Sequence, residues 1–236
     1  MEESEEDSMD NSISVTKHKI IFVGDAGVGK TSIINRIVDN PFKDTYEMSI
    51  GVDFMSKNLN YKGQNIKLLL WDSAGQEKYK GLIPSYVRNS SIVFVVYDIS
   101  SKTSFNNVSS WITFIKSIEN TRLVLCGNKI DLTTREVEKS EGEQFAQKEG
   151  ISFFEVCAET GENIKFMFYS VVADLLTFAE GTTNKENLIK ELQQENGVEN
   201  ITNNVQNPKS PEEEKTINVN GKPKPVQPKK KKGCGC

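Results

Sequence analysis

The sequence predicts an α/β fold, a six-stranded and mostly parallel sheet with helices on both faces and one antiparallel strand at its edge. Short apolar runs typical of buried strands alternate with segments of helical spacing. Tyr61-Lys62-Gly63-Gln64 separates two strand-like segments and is typical of a hairpin turn, which accounts for the antiparallel strand. Residues 17–178 are numerous enough to bury a single hydrophobic core.

Each element has its own local signal. Apolar runs predict buried strands at 19–23, 66–71, 92–99, 123–127 and 152–156. Two helices are predicted by apolar residues at helical spacing, which are Phe105, Val108, Trp111, Ile112, Ile115 and Ile118 in the first and Ile164, Phe168, Val171, Val172, Leu175 and Leu176 in the second. Ser140 with Glu143 fits a capping box at the start of another helix, and Gly150 fits its end.

Charge is distributed unevenly along the 236 residues, whose net charge is −4. Residues 1–16 carry six acidic side chains and no basic one, whereas the chain after Gly221 carries six lysines and no acid. We therefore expect a disordered acidic arm at 1–16, a globular domain at 17–178 and a disordered polar tail at 179–236. A globally basic nucleic-acid binder is disfavoured, so no nucleic-acid partner is expected.

Several other classes of protein are disfavoured by composition. No apolar run approaches the ~18 residues of a membrane span, and the acidic N-terminus resembles neither a secretory signal nor a transit peptide. Four cysteines without such a signal indicate a reducing compartment and no disulfides. His18 is the one histidine, which disfavours a multi-histidine metal site or a Ser-His-Asp triad.

A glycine-rich loop follows the first predicted strand. It comprises Gly24-Asp25-Ala26-Gly27-Val28-Gly29-Lys30-Thr31 and matches the pattern G-x-x-x-x-G-K-[ST] in a strand–loop–helix context. Backbone N–H groups of such a loop and the positive end of the next helix bind a polyphosphate. Lys30 would neutralise the outer phosphates and the Thr31 hydroxyl would bind Mg²⁺. The loop thus predicts a nucleoside triphosphate ligand.

Three further motifs follow the carboxyl ends of apolar strands, where open α/β sheets bind ligands. They are Asp72-Ser73-Ala74-Gly75-Gln76, Asn128-Lys129-Ile130-Asp131 and Cys157-Ala158-Glu159. Asp72 suits a carboxylate that holds Mg²⁺ through water, Gly75 can offer a backbone N–H to the γ-phosphate, and Gln76 can orient an attacking water. Asp131 offers two acceptors to the N1–H and 2-amino donors of guanine, which adenine lacks. GTP is therefore the expected nucleotide.

With these motifs the chain resembles a small GTPase of the Ras superfamily, and specifically a member of the Rab family. The resemblance implies the small G domain of the P-loop NTPases. The resemblance covers 17–178 and the extreme C-terminus. Its further signatures are Ile50-Gly51-Val52-Asp53-Phe54, Lys67-Leu68-Leu69-Leu70-Trp71, Lys78-Tyr79-Lys80-Gly81-Leu82 and Val96-Tyr97-Asp98-Ile99. Residues 82–90 are most similar to the Golgi-associated, Rab-six-like subgroup.

The resemblance implies roles for individual residues, with switch I at 39–54 and switch II at 72–82. It implies that Phe42 packs against the guanine and that Tyr46 covers the phosphates. The implied nucleotide-binding residues are Gly24, Asp25, Ala26, Gly27, Val28, Gly29, Lys30, Thr31, Ser32, Phe42, Tyr46, Ser49, Gly75, Asn128, Lys129, Asp131, Cys157, Ala158 and Glu159. The implied catalytic residues are Gln76 and Lys30, the Mg²⁺ ligands Thr31, Ser49 and Asp72, and the effector-binding residues Ile50, Phe54, Trp71 and Tyr86.

Three positions depart from the family pattern. Ser49 stands where a threonine is usual and keeps the hydroxyl, and Ala26 adds a methyl group beside the γ-phosphate, where the strictest hydrolysers have glycine. Cys157-Ala158-Glu159 replaces the usual Ser-Ala-Lys, so Glu159 reverses a charge near the base. We expect guanine specificity to persist, because Asp131 and the Ala158 amide remain, but GDP release to be faster than in a typical Rab.

The tail carries two further signals. Leu188 and Leu192 suggest a short amphipathic helix near 184–195, which we expect to be a solvated helix or coil. The chain ends in four lysines followed by Gly233-Cys234-Gly235-Cys236. This matches the Cys-x-Cys ending of Rabs, which implies geranylgeranyl groups on Cys234 and Cys236. The lysines beside it indicate binding to an anionic membrane surface.

The resemblance implies a GTP-hydrolysing switch of vesicle trafficking on the cytoplasmic face of Golgi or vesicle membranes, cycling through the cytosol. The implied partners are a guanine nucleotide exchange factor, a GTPase-activating protein, a GDP-dissociation inhibitor, the Rab escort and prenylation machinery, and effectors. Ala26 and Glu159 leave open a nucleotide-bound scaffold with little hydrolysis. A P-loop kinase or ATPase is a third alternative, but it leaves Asn128-Lys129-Ile130-Asp131 unexplained.

Overall fold

A computed structural model describes residues 16–42, 52–73, 81–119, 121–180 and 184–197. All of these residues lie within one compact unit, Met1–Asn204, and the second unit, Val205–Cys236, contains none of them. No helix in the described ranges is long and apolar enough to cross a membrane.

Six strands form one sheet, in the order β2-β3-β1-β4-β5-β6. Only β2 runs antiparallel to its neighbour within the described residues, with Val52 opposite Ser73. The predicted α/β fold is therefore confirmed, including the antiparallel edge strand. The strands are β1 (Thr16–Val23), β2 (Val52–Tyr61), β3 (Gln64–Ser73), β4 (Ile92–Asp98), β5 (Arg122–Asn128) and β6 (Ser152–Val156).

Helices cover both faces of the sheet, and each face has its own core. The first core joins α1, α5 and α6 to alternate residues of the strands, such as Phe22 and Leu70. The second joins α2, α3 and α4 to the opposite alternate residues, such as Ile21 and Val93. The helices are α1 (Lys30–Ile37), α2 (Ile83–Val87), α3 (Lys102–Lys116), α4 (Lys139–Glu149), α5 (Ile164–Glu180) and α6 (Lys185–Glu195).

Two local predictions, a hairpin turn and a helix capping box, had different outcomes. The predicted hairpin turn joins β2 to β3, and Lys62 and Gly63 both have positive φ, as a type I′ turn requires. The predicted capping box of Ser140 and Glu143 is wrong, because α4 begins at Lys139. The Glu141 carboxylate instead accepts the backbone N–H of Glu138 at 3.0 Å.

Helix α6 differs from the expectation of a solvated helix or coil. The Asn184 side chain caps its start by accepting the N–H of Asn187 at 3.2 Å. Leu188 and Leu192 are buried in the first core, because their helix packs against α5 and β2. The expectation of a disordered tail beginning at 179 is therefore wrong for this segment, which is an ordered part of the globular unit.

The end of α6 is also fixed to the β2–β3 hairpin by polar contacts. The Asn196 side chain accepts the backbone N–H of Asn60 and donates to its carbonyl oxygen, both at 3.0 Å. The Glu195 carboxylate accepts the backbone N–H of Lys62 at 3.1 Å. Part of the open edge of β2 is thus occupied by the chain itself, which protects it from pairing with another strand.

Candidate functional site

The glycine-rich loop connects β1 to α1 at the carboxyl edge of the sheet. Gly24, Gly27 and Gly29 all have positive φ, which favours glycine. A Cβ on Gly24 would lie 2.2 Å from the carbonyl oxygen of Val96, and one on Gly29 would lie 2.2 Å from Nδ2 of Asn128. Both glycines are therefore needed for the close approach of this loop to neighbouring strands.

Lys30 is the first residue of α1, and its side chain is folded back over the loop. Its Nζ donates to the carbonyl oxygens of Gly24 at 3.1 Å and Asp25 at 2.7 Å. Burial lowers the pKa of the Lys30 ammonium to about 8, and the carboxylates of Asp72 and Asp25 oppose this shift. A largely buried cation at this position gains an interaction when an anionic phosphate binds beside it.

Two oxygen groups meet next to the loop. The Thr31 hydroxyl donates to Oδ2 of Asp72 at 2.5 Å, which brings the start of α1 against the end of β3. Asp72 is buried, whereas Thr31 and Ser32 are half-buried. Hydroxyl and carboxylate oxygens are hard donors of the kind Mg²⁺ prefers. These residues therefore fit the predicted metal site.

Asn128 connects three of the predicted segments. It is 1 % exposed at the end of β5. Its Nδ2 donates to the carbonyl oxygen of Val28 at 2.9 Å, and its Oδ1 accepts the backbone N–H of Ala158 at 3.1 Å. One amide thus joins the glycine-rich loop to the loop that follows β6, so the phosphate and base ends of the site are held together.

The side chains beside Asn128 are also fixed. The Cys157 thiol donates to Oδ1 of Asp131 at 2.8 Å, which orients the carboxylate predicted to recognise guanine. Lys129 has a positive φ, and its Nζ forms an ion pair with Oδ2 of Asp98 at 2.6 Å. The structure thus fixes the side chains of four residues from the two motifs predicted to bind the base, which are Asn128, Lys129, Asp131 and Cys157.

Arg36 was not predicted, yet it holds the loop after β6. Its Nε donates to the carbonyl oxygen of Ala158 at 2.8 Å, and its Nη2 donates to that of Glu159. The same guanidinium lies over the Phe42 ring, 6.0 Å from its centroid. Arg36 therefore links the predicted guanine-stacking ring to the predicted base loop. The Glu159 side chain is exposed.

Asp25 also has partners that sequence analysis missed. Its carboxylate accepts from Nε1 of Trp111 at 2.9 Å and from Nδ2 of Asn107 at 2.7 Å. Trp111 is one of the apolar residues whose spacing predicted a helix, and at 3 % exposure it is buried in the second core. Its indole therefore packs in the core and donates to the glycine-rich loop as well.

An aromatic cluster lies where β2, β3 and α2 meet. Phe54 and Trp71 are opposite each other in register, and their ring centroids are 5.8 Å apart. The Tyr86 ring lies 5.7 Å from that of Trp71, and Phe54 is 63 % exposed. Three of the predicted effector-binding residues thus form one accessible aromatic surface, which is the kind of anchor that protein interfaces favour.

Several predicted residues lie outside the described ranges, and their roles stay predictions. They include the catalytic glutamine, parts of both predicted switches and the two C-terminal cysteines. These residues are Tyr46, Ser49, Ile50, Gly75, Gln76, Cys234 and Cys236.

Comparison with protein-family models finds a match to the Ras family over residues 19–177. The matched region runs from β1 to α5 and contains every segment predicted to contact the nucleotide. Helix α6 lies beyond it.

Proposed function

Since this chain belongs to the Ras family of small GTPases, we propose that it is a Rab-type switch that hydrolyses GTP and regulates vesicle trafficking. Ras-family GTPases bind GTP or GDP with Mg²⁺ and interact with exchange factors, activating proteins and effectors. The observation that carries the proposal is the joining of the glycine-rich loop to the base loop through Asn128. This contact supports a single site for the recognition of phosphate and guanine.

Hydrolysis forms a bond between a water oxygen and the γ-phosphorus and breaks the bond between that phosphorus and the oxygen bridging it to the β-phosphate, which gives GDP and inorganic phosphate. The N–H groups of the glycine-rich loop and the start of α1 bind the phosphates, and Lys30 offsets their charge. Gln76 orients the attacking water. Thr31 and Asp72 would hold Mg²⁺, which neutralises charge on the β- and γ-phosphates when bound. The protein forms no covalent bond to the substrate in this reaction. The rate therefore depends on how the phosphates and water are positioned and on how the charge of the transition state is stabilised.

Preference for guanine is assigned to Asp131, whose orientation is set by Cys157. With adenine bound, the carboxylate would face a base edge that offers neither of the two donors of guanine, which costs about 1–3 kcal/mol or more. A P-loop kinase or ATPase would give no explanation for this carboxylate. Binding of GTP explains it, which favours the GTPase over that alternative.

Three observations support a Rab within the family. Phe54, Trp71 and Tyr86 form the aromatic surface expected to bind effectors. The C-terminal Cys234 and Cys236 match a doubly prenylated end, so we propose that the escort and prenylation machinery and a GDP-dissociation inhibitor bind this protein. The sequence of 82–90 favours the Golgi-associated subgroup, with the GTP form on the cytoplasmic face of Golgi or vesicle membranes.

The first test identifies the nucleotide that purified protein carries, by denaturation and chromatography, with and without added Mg²⁺. Competition should favour GTP over ATP by about ten- to a hundredfold or more, and equal competition would exclude the proposed switch. Single-turnover hydrolysis with an activating protein then compares wild type with Gln76→Leu, which should bind GTP but hydrolyse it far more slowly. Equally slow hydrolysis by both proteins would favour the nucleotide-bound scaffold.

A further inference from the structure

Helix α3 holds the carboxylate of the glycine-rich loop with two donors. Nε1 of Trp111 donates to Oδ1 of Asp25 at 2.9 Å, and Nδ2 of Asn107 donates to Oδ2 at 2.7 Å. Residues 107 and 111 are one helical turn apart, so their side chains lie on the same face of α3. Each oxygen of the carboxylate thus has its own N–H donor.

The carboxylate is electrostatically unfavourable for a phosphate-binding loop. The Asp25 backbone oxygen accepts from Nζ of Lys30 at 2.7 Å, so this residue lies beside the cation that the phosphates require. A negative side chain there repels a negatively charged ligand, and the repulsion is stronger inside a protein than in water. Something must therefore keep the carboxylate from facing the phosphates.

Helix α3 is well placed to do so, because it lies on the opposite face of the sheet from α1. Helix α1 belongs to the first core and begins with Lys30 and Thr31, whereas Trp111 belongs to the second core. A hydrogen bond to Trp111 consequently draws the carboxylate toward the face away from α1. Burial of the indole at 3 % exposure fixes the position of its N–H.

From this geometry we infer that Asn107 and Trp111 are positioning residues that hold the Asp25 carboxylate away from the triphosphate. Their donors also disperse its charge, since hydrogen bonds to an ionised group are the stronger kind. Loss of either donor frees the carboxylate to turn toward the phosphates. GTP binding then weakens more than GDP binding, because GTP carries one more phosphoryl group. The inference rests on the proposed binding of GTP.

Measurements with fluorescent GTP and GDP analogues at fixed Mg²⁺ test the inference in two backgrounds. Trp111→Phe keeps an aromatic ring in the core but removes the N–H donor, and Asn107→Ala removes the second donor. In the wild-type background each variant should raise the Kd for the GTP analogue about three- to tenfold, each tenfold being ~1.4 kcal/mol. In an Asp25→Ala background the same changes should have no effect, because no carboxylate remains to be held.

The two backgrounds separate positioning from packing. An equal loss of affinity in both would mean that Trp111 acts only through packing, and unchanged affinity in both would mean that neither donor matters; each result overturns the inference. Asn106→Ala is the matched control, since Asn106 is exposed at the neighbouring position of α3. Wild-type protein that binds no GTP would refute the proposed function, whereas GTP binding that none of the variants alters would refute only this inference.

A second measurement tests the contact without changing either Trp111 or Asn107. The chain has two tryptophans, so its ¹H–¹⁵N spectrum contains two indole N–H signals, which Trp71→Phe assigns. Asp25→Asn should shift the signal of Trp111 and leave that of Trp71 in place. Failure of the Trp111 signal to move would refute the hydrogen bond on which the inference depends.

Discussion

The burial of α6 leads to a stability prediction. Leu192 is fully buried in the first core, so Leu192→Ala leaves a cavity that the surroundings fill only in part. Such truncations cost about 2–5 kcal/mol. The cost cannot exceed the free energy with which α6 docks, because beyond that value the helix simply detaches. We therefore expect a loss at the lower end, about 2 kcal/mol.

Urea unfolding of the GDP-loaded protein, followed by circular dichroism, measures this loss. The matched control is Lys190→Ala, an exposed position of the same helix, which should change stability by less than about 0.5 kcal/mol. Asn196→Ala should cost about 1 kcal/mol, because it removes both hydrogen bonds to Asn60. If Leu192→Ala were as stable as Lys190→Ala, the packing of α6 against the domain would be refuted.

Three further predictions concern the nucleotide site and the membrane. Thr31→Asn should weaken Mg²⁺-dependent binding of a fluorescent GTP analogue and leave a GDP-like or empty protein; equal titrations for variant and wild type would contradict the metal role. Cys157→Ala removes the donor to Asp131 and should speed GDP release about fivefold, a thiol being a weak donor, whereas Cys157→Ser should stay near the wild-type rate. Replacing Cys234 and Cys236 by serine should move the protein from the membrane pellet to the cytosol, and unchanged pelleting would exclude the lipid anchor.

The fold could be predicted from the sequence because its signals are local. Each parallel strand is an apolar run, and β3 alternates buried and less buried residues as a strand should. The predicted motifs begin at or just after the carboxyl ends of β1, β3, β5 and β6, so the edge of the sheet that holds the candidate site followed from strand direction. Such signals need only a short window of sequence.

The burial of α6 could not be predicted in this way. Leu188 and Leu192 give the helix only a narrow apolar stripe, which is equally typical of a solvated helix. The stripe is buried because α6 packs against α5 and also against β2, whose Leu59 and Tyr61 belong to the same core. Nothing in β2 or α6 alone indicates their contact, since more than a hundred residues separate these two segments.

The unpredicted contacts of the site also join residues that are far apart in the sequence. Trp111 reaches Asp25 across 86 positions, and Arg36 reaches Ala158 across 122. Tryptophan on an apolar helical stripe and arginine in the last turn of a helix are both common, so neither position by itself indicates a distant contact. Motif spacing and the family resemblance predict which residues would contact the ligand, whereas the residues that hold them in position became evident only from the tertiary structure.

The charge reversal at Glu159 shows what such positioning residues can do. A lysine is usual at this position in the family, so its loss was expected to loosen the base loop and speed GDP release. The loop is nevertheless held through its backbone, because Arg36 donates to the carbonyl oxygens of Ala158 and Glu159, and Asn128 accepts the Ala158 N–H. The Glu159 carboxylate itself is exposed, where water screens its repulsion of Asp131. These backbone contacts do not depend on which side chain the loop carries. For this physical reason we expect Glu159 to have only a small effect on the rate of GDP release.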